Sequence, residues 1–539
     1  MRRFFMKTLA TLLMSVPLLA AAACAPTSGK DEDKEQKEYI QPEGYVLLTS
    51  GDATGVQSDG VGVEFDPLFW SQTVPRWETN GQKTSEEAEE LWATIEKRIA
   101  ALNVKNFRVM LNPSWIEKYN DNDDPYNTDL NAFDFDSVET QSVCRVLDIA
   151  QKYDIRVTLV LWGVPLNKSL ASDNYVSSSY WMASNHSGST AWMIGPKGDA
   201  MIAEFCENFS VYTKYLLETK GYTCIKEVTP INEPDGQYIV DGVGNQYGEY
   251  VKLCIELDRR FSEDGIRDKV EFNLSDTTFD RSREWLPQAA EDLTGIADKL
   301  NAHCYGFGSE TPNSTMNDWY RFCVETASDA GMRFFVGELG GNKFVSASRQ
   351  GDIDAYERGV FLARTMINGL NAGVSGFSYW IAHDCFYNKN ASYAEMQQLG
   401  LWTSIVSDYA GDETYKGVIT EDLQVRDQYY AYGLVSGSVG LDSSVYPVAL
   451  DEEFVSATRV VTEGKDVWLL ANQNTVGFKE YCFRVDDDEW GNKYSYVVYQ
   501  SSSLPEGDTL LQETEELSVM NGYVSFTLPP NSVVAIKEK

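Results

Sequence analysis

Histidine is the scarcest reactive residue in this 539-residue chain, with only His186, His303 and His383 present. The nine cysteines are scattered, and no pair has the close spacing of a zinc site. With so few soft ligands, neither a metal nor a cofactor is expected. Basic residues are also short: 45 Lys and Arg stand against 81 Asp and Glu, a formal net charge of −36. Such an acidic surface repels polyanions, which argues against nucleic acid or an anionic membrane face as partners. The charge itself reads as solubility. No apolar run is long enough to span a bilayer comfortably; the stretch from Leu9 to Ala20 falls short.

That stretch instead reads as an export leader. Arg2, Arg3 and Lys7 form a basic start, Leu9 to Ala20 the apolar middle, and Ala21, Ala22 and Ala23 the small residues of a cleavage site. Residues 1–23 are therefore expected to be a signal peptide. Cys24 follows directly and resembles the lipidated Cys of a bacterial lipoprotein box, although Ala21 stands where such boxes usually carry Leu. Plain cleavage after Ala23 is the alternative. The polar run from Thr27 to Glu38 resembles the acidic tether of surface lipoproteins, giving residues 24–43 as anchor and tether. The expectation is a chain held at the bacterial outer membrane or cell surface by lipid alone, or else periplasmic or secreted. Eight further cysteines in an exported chain permit disulfides, but their spacing is irregular and a domain this large needs no staples.

What is abundant is alternation of strand-like and helix-like segments. Hydrophobic residues make up 43% and charged residues 23%, the balance of a globular protein. Eight strand-like runs are legible: Val61 to Phe65, Phe107 to Leu111, Arg156 to Leu161, Ile225 to Ile231, Val270 to Leu274, Lys299 to His303, Arg333 to Gly337, and Val374 to Tyr379. Between them, apolar residues recur at helical spacing, as in Leu91, Ile95, Ile99 and Leu102 after Thr84 and Ser85. Helices over 200–220 and 354–372 should end at Gly221 and Gly373 in left-handed caps.

Eight parallel strands with helical crossovers fit a (β/α)8 barrel over residues 44–440 better than an open sheet, because no Gly-rich fingerprint follows the first strand. After Tyr429, Tyr430 and Tyr432 the helical period disappears. Short alternating runs such as Val467 to Leu470, Tyr494 to Tyr499 and Tyr523 to Leu528 predict a β-sandwich over 441–539, to which Tyr45 to Thr49 is expected to add a strand.

In a barrel the chemistry sits where strands end. Ile231-Asn232-Glu233-Pro234 closes the fourth strand and Val336-Gly337-Glu338-Leu339-Gly340 the seventh. Two carboxyl groups converging at one rim suit glycoside hydrolysis with retention, which needs an acid for the leaving oxygen and a nucleophile about 5 Å away. Long segments after the third and eighth strands carry Trp162, Tyr175, Tyr180, Trp181 and Trp192, and Phe386, Tyr387 and Trp402, and read as walls of a cleft. Aromatics reach 12%, which suits a ligand with flat apolar faces and hydroxyl edges.

Asn-Glu-Pro closing strand four with a Glu closing strand seven resembles glycoside hydrolase clan A, the retaining barrel enzymes that include families five, thirty and thirty-nine. The resemblance spans about residues 60 to 440. It implies Glu233 as acid/base, Glu338 as nucleophile, and Asn232 as the residue holding the sugar's 2-hydroxyl. It further implies Arg108 as support for the nucleophile, a His303 and Tyr305 pair, and Trp380 as an aromatic floor. Trp162, a second rim aromatic, is expected to flank a neighbouring subsite. Arg108 would keep Glu338 ionised and Tyr305 would donate to it, while Glu233 would hold a proton. Structural roles compete with these: a buried ion pair for Arg108, a satisfied core imidazole for His303, core packing for Trp380. Cys304, between His303 and Tyr305, should point away from the cleft.

The Leu161-Trp162-Gly163 run lacks the His that family five often places there, which weakens a cellulase assignment. The expected activity is hydrolysis of a β-linked glycan or oligosaccharide by a cofactor-free monomer. The rival readings are a glycan-binding lipoprotein without turnover and a transglycosidase sharing the same covalent intermediate.

Overall fold

The computed structural model describes residues 38–67, 85–117, 124–162, 164–165, 193–194, 196, 198–237, 246–341, 354–384, 399–403 and 423–539. The expected leader, Cys24 and expected tether up to residue 37, Thr84, His186, Cys385, and the aromatics Tyr175, Tyr180, Trp181, Trp192, Phe386 and Tyr387 lie outside the described residues.

After a short strand β1 (Val46–Leu48), eight parallel strands follow in chain order: β2 (Gly60–Glu64), β3 (Asn106–Leu111), β4 (Arg156–Leu161), β5 (Ile225–Thr229), β6 (Glu271–Thr277), β7 (Lys299–Cys304), β8 (Arg333–Leu339) and β9 (Gly376–Tyr379). They pair sequentially, and β9 pairs β2 from Gly376 opposite Gly60 to Tyr379 opposite Val63, so the sheet closes into a barrel. Alternation explains what each face carries. Val61, Val63, Phe107, Val109, Val157, Leu159, Phe272, Leu274, Leu300 and Ala302 join the apolar core beneath the surrounding helices. The intervening positions, among them Glu64, Asn106, Arg108, Thr158, Glu227, Asn273, Lys299, Asn301 and His303, are buried polar residues. The lumen of this barrel is thus polar along much of its length.

The outer layer includes α1 (Ser85–Leu102), α2 (Val138–Lys152), α3 (Asp199–Lys214), α4 (Gln246–Glu263), α5 (Ser282–Asp292), α6 (Asn313–Asp329), α7 (Glu357–Ala372) and α8 (Asp427–Ser436). In α1, Ile95, Ile99 and Leu102 are fully buried, as their spacing predicts. Gly373 caps α7 at φ 96°, and Gly221 follows α3 and its π-helical extension at φ 78°. Among the described residues no helix is long and apolar enough to cross a membrane.

The C-terminal strands are β10 (Ser444–Val448), β11 (Val455–Thr462), β12 (Lys465–Asn472), β13 (Lys479–Arg484), β14 (Lys493–Tyr499), β15 (Glu515–Ser518), β16 (Tyr523–Leu528) and β17 (Ser532–Glu538). Six form one sheet in the order β10-β11-β12-β17-β14-β15, and β1-β13-β16 form the other. The N-terminal strand predicted around Tyr45 to Thr49 is β1, which pairs parallel to β13. Between the sheets Trp468 stacks on Phe483 at 4.6 Å, beside Tyr481, Phe526 and Ile536. Helix α7 is buried along most of its length between barrel and sandwich. Gly359 on α7 has no room for a Cβ, which would meet the Tyr499 hydroxyl at 2.6 Å. Tyr499 itself stacks on Tyr356 at 4.5 Å. The described cysteines 144, 206, 224, 254, 304, 323 and 482 are all free thiols. Cys304 is fully buried, its Sγ 3.6 Å from the Tyr320 hydroxyl on the helix side of the barrel, as the alternation predicts.

Candidate active site

Three local departures from regular structure aim carboxylates into one end of the lumen. Beyond β5 the chain stays tied to the barrel, with Asn232 N–H donating to Leu161 O at 2.9 Å. Glu233 then adopts φ 40°, a left-handed conformation unusual for a residue with a side chain. Pro234 opens a single helical turn to Gln237, where a missing N–H costs nothing. Asp235, buried in that turn, accepts from Thr278 N–H at 3.1 Å and locks the turn to the end of β6.

In β8 the pairing with β7 shifts register between Val336 and Glu338, which breaks the alternation and turns Glu338 inward. Gly337 allows this because a Cβ there would meet Asn301 Oδ1 at 2.7 Å and Asp276 Oδ1 at 2.8 Å. A matching irregularity lies in β6 between Ser275 and Thr277, where Ser275 and Asp276 have φ 82° and 45°. It delivers the Asp276 carboxylate to the same place.

Arg108 is the hub. Its Nη1 donates to Glu338 Oε1 at 2.8 Å and Glu64 Oε2 at 3.0 Å. Its Nη2 donates to Asn232 Oδ1 and Asp276 Oδ2, each at 2.8 Å. Tyr305 donates its hydroxyl to Glu338 Oε2 at 2.7 Å. His303 bridges the other side: Nε2 lies 3.2 Å from Asp276 Oδ1, and Nδ1 lies 2.8 Å from Glu233 Oε1 and 3.4 Å from Glu338 Oε2. One carboxylate oxygen each from Glu233 and Glu338 and a ring nitrogen of His303 lie within 4.8 Å of one another. Glu338 is nearly enclosed, whereas the Glu233 side chain keeps 30% exposure toward the open end.

The electrostatics follow from crowding four carboxyl groups around two cations. Burial pushes the Glu64 carboxyl up to about 8, reinforced by Glu338 and Asp66 and opposed by Arg108. Burial likewise pushes Glu338 up, with Glu233 and Asp276 adding to it and His303 and Arg108 pulling back. This corrects the simple expectation for Glu338: Arg108 is in contact as expected, yet enclosure outweighs it. Asp276 resists the same burial because Arg108 and His303 flank it, and its carboxyl falls to about 2. Burial disfavours the His303 imidazolium, but Glu338, Asp276 and Glu233 hold it well above its usual range. Burial and the Glu338 charge raise the Tyr305 phenol, which keeps it a donor.

The sequence-predicted residues Arg108, Asn232, Glu233, His303, Tyr305 and Glu338 therefore meet in one constellation. Trp380 sits at its edge with 7% exposure, packed with Met110, Ile381 and Leu399 and against Tyr305. Trp162 meets Trp380 edge-on at 6.4 Å. Two members were not anticipated from sequence, Asp276 and Glu64. Asp276 had a signal, a polar residue at a strand's C-terminal end, but Ser275-Asp276-Thr277-Thr278 reads as a turn and the predicted strand stopped at Leu274. Glu233, His303 and Glu338 are close enough to crowd a cation. The set is nonetheless a poor metal centre, since both His303 nitrogens face carboxylates, both Glu338 oxygens are engaged, and Arg108 adds its own charge.

No family model and no curated protein sequence matches this chain. Solved structures do. The family 30 subfamily 8 xylanase Xyn30A from Clostridium acetobutylicum superposes with a TM-score of 0.58 at 12% identity, covering 91% of this chain and 97% of the xylanase. A family 39 glycoside hydrolase from Xanthomonas axonopodis pv. citri gives 0.56 at 11% identity, covering 94% and 99%. An endo-β1,6-glucanase gives 0.57 at 12% identity, covering 92% and 95%. The chain shares its fold, a closed eight-stranded parallel barrel with a C-terminal β-sandwich, with these glycoside hydrolase structures.

Proposed function

We propose that this protein is a retaining glycoside hydrolase acting on a β-linked glycan or oligosaccharide, with Glu338 as nucleophile and Glu233 as acid/base. The observation that carries the reading is the separation of the two carboxyl groups. An oxygen of each group lies within 4.8 Å of one of the other, which favours the close pair of a double displacement, roughly 5 to 5.5 Å between carboxyl groups, over the about 6.5 to 9.5 Å of an inverting site. Their surroundings divide the roles. Glu338 is enclosed and gripped by Arg108 and Tyr305, which orients an attacking oxygen. Glu233 is the more exposed, as a group serving a departing aglycone and an arriving water must be.

In the first step a Glu338 oxygen bonds the anomeric carbon while the glycosidic oxygen leaves with a proton from Glu233. In the second, Glu233 takes a proton from water as that water's oxygen displaces Glu338. Arg108 occupies Asn232 Oδ1, so the amide presents Nδ2 as the donor for the sugar's 2-hydroxyl. Trp380 and Trp162 border the subsite as aromatic walls. The xylanase and the endo-β1,6-glucanase among the structural neighbours favour glycan hydrolysis without selecting a sugar.

Trapping tests the reading. An activated 2-deoxy-2-fluoro glycoside of an accepted sugar should leave a stable adduct, and peptide mass spectrometry should locate it on Glu338. An adduct elsewhere, or inversion of anomeric configuration by NMR, would overturn the assignment. Glu233→Ala should lose about 10²- to 10⁴-fold on poor leaving groups and far less on very good ones. Export and lipid anchoring through Cys24 belong to the same proposal, supported by the leader and its small residues. Cys24→Ser should move the protein from the membrane to the soluble fraction, and an unchanged distribution would refute the anchor.

A further inference from the structure

The structure holds one carboxylate at the heart of the site that neither step of the reaction consumes. Asp276 is fully buried, and each of its oxygens faces a different cation: Oδ2 meets Arg108 Nη2 at 2.8 Å and Oδ1 meets His303 Nε2 at 3.2 Å. The backbone is contorted to put it there. Ser275 and Asp276 are consecutive left-handed residues at the β6 irregularity, a strained conformation that persists only where the surroundings enforce it. Gly337 on β8 clears the space that the Asp276 carboxylate fills.

We propose that Asp276 is a positioning residue for proton transfer: through His303 it holds the proton that Glu233 delivers to the leaving oxygen, and through Arg108 it ties that proton to the ion pair of the nucleophile. This deepens the reading of Glu233 as acid/base and rests on it. With Nε2–H directed at Asp276, Nδ1 is the nitrogen that shares a proton with Glu233 Oε1 at 2.8 Å. One proton then lies between the two groups, held there for as long as Asp276 faces the other side of the ring.

The charged and titratable groups facing that imidazole are Glu233 after β5, Asp276 on β6, Tyr305 after β7 and Glu338 on β8, with Arg108 on β3 and Glu64 on β2 behind them. Of the carboxylates in contact with His303, Glu338 loses its charge when it becomes a glycosyl ester, and Glu233 gives and regains a proton. Asp276 alone stays ionised throughout, so it keeps His303 in register for the second step. The balance closes. The shared proton leaves on the glycosidic oxygen as the Glu338 ester forms; water then supplies one proton to the pair and its oxygen to the anomeric carbon as the ester breaks.

The test is the pH dependence of kcat/KM for full-length Asp276→Asn, Asp276→Glu and wild-type protein, on aryl glycosides with good and poor leaving groups. Asp276→Asn should shift the basic limb for the poor leaving group down by about one pH unit or more. It should lose about 10²-fold at neutral pH on that substrate and much less on the good one. Asp276→Glu should restore part of the limb. An equal loss on both substrates with an unmoved limb would overturn the proposal.

Should Asp276→Asn not fold, ¹⁵N NMR of the wild-type His303 ring decides: an imidazolium persisting above the ordinary histidine range supports the proposal, and a neutral ring at pH 6.5 refutes it. The underlying reading fails separately, by Glu233→Ala losing activity equally on both leaving groups. If Glu233→Ala discriminates between them and Asp276→Asn leaves the limb in place, only the role of Asp276 falls.

Discussion

The barrel lumen holds two buried clusters of charge, one at each end, and they are built on opposite principles. At the N-terminal end of the strands Lys299 is fully enclosed, with Nζ 2.8 Å from Asp59, 2.6 Å from Glu227 and 3.3 Å from Glu271. Arg156 and Arg333 join the same acids. Three cations face three anions. Although burial opposes it, Lys299 and Arg156 hold the Glu227 carboxyl at about 2, so Glu227 keeps its charge. At the C-terminal end two cations, Arg108 and His303, face Glu64, Glu233, Asp276 and Glu338. There the acids cannot all ionise together, and Glu64 rises to about 8. A balanced cluster has no proton to exchange and can only brace the barrel. An unbalanced one must keep protons in play, which is what acid/base chemistry requires.

The largest expected effect that would break this contrast is at the unbalanced end. Glu338→Gln should lower turnover on the order of 10⁵-fold with little change in melting temperature, since it removes a charge from an overcrowded site. A large loss of stability with retained turnover would reverse the distinction. Next comes Lys299→Met, which strands Glu227 and Asp59 at the balanced end. It should cost about 3–5 kcal/mol in chemical denaturation while kcat/KM of the folded enzyme holds.

The smallest effect sharpens the comparison through pH. Glu227 and Asp276 titrate lower in the fold than when unfolded, so their stabilisation is present above about pH 4 and drains away as pH falls toward their folded value of about 2. Glu64 has the opposite sign. Its folded value of about 8 lies above the ordinary 4.5, so the fold favours the protonated acid and stability declines as pH rises between the two. Glu64→Gln, a mimic of the neutral acid, should flatten the melting-temperature decline between about pH 5 and 8. An unaltered slope would mean that Glu64 is not the proton carrier.

Much of the architecture was legible because burial on one face leaves a period in the chain. The predicted run Arg156 to Leu161 coincides with β4, and Tyr523 to Leu528 with β16. Errors fell where the backbone turns irregular. The run from Ile225 overreached β5 by Pro230 and Ile231, and the run from Val270 missed Ser275, Asp276 and Thr277. Those are the segments whose left-handed residues aim Glu233 and Asp276. Propensity reads Ser, Asp and Thr as turn formers, and nothing local says that a neighbouring Gly337 has cleared room for a carboxylate.

By itself the sequence determined which residues stand at strand ends, and therefore that Glu233 and Glu338 would share one rim, because strand period and helical spacing are local properties; Arg108, His303 and Tyr305 were placed beside them by the resemblance. Only the tertiary structure decided how those groups share protons. The neutrality of Glu64, the charge of His303 and the depressed Asp276 arise from Coulomb forces acting in a buried space among side chains of five strands, and such forces depend on distances that no single segment of the chain contains.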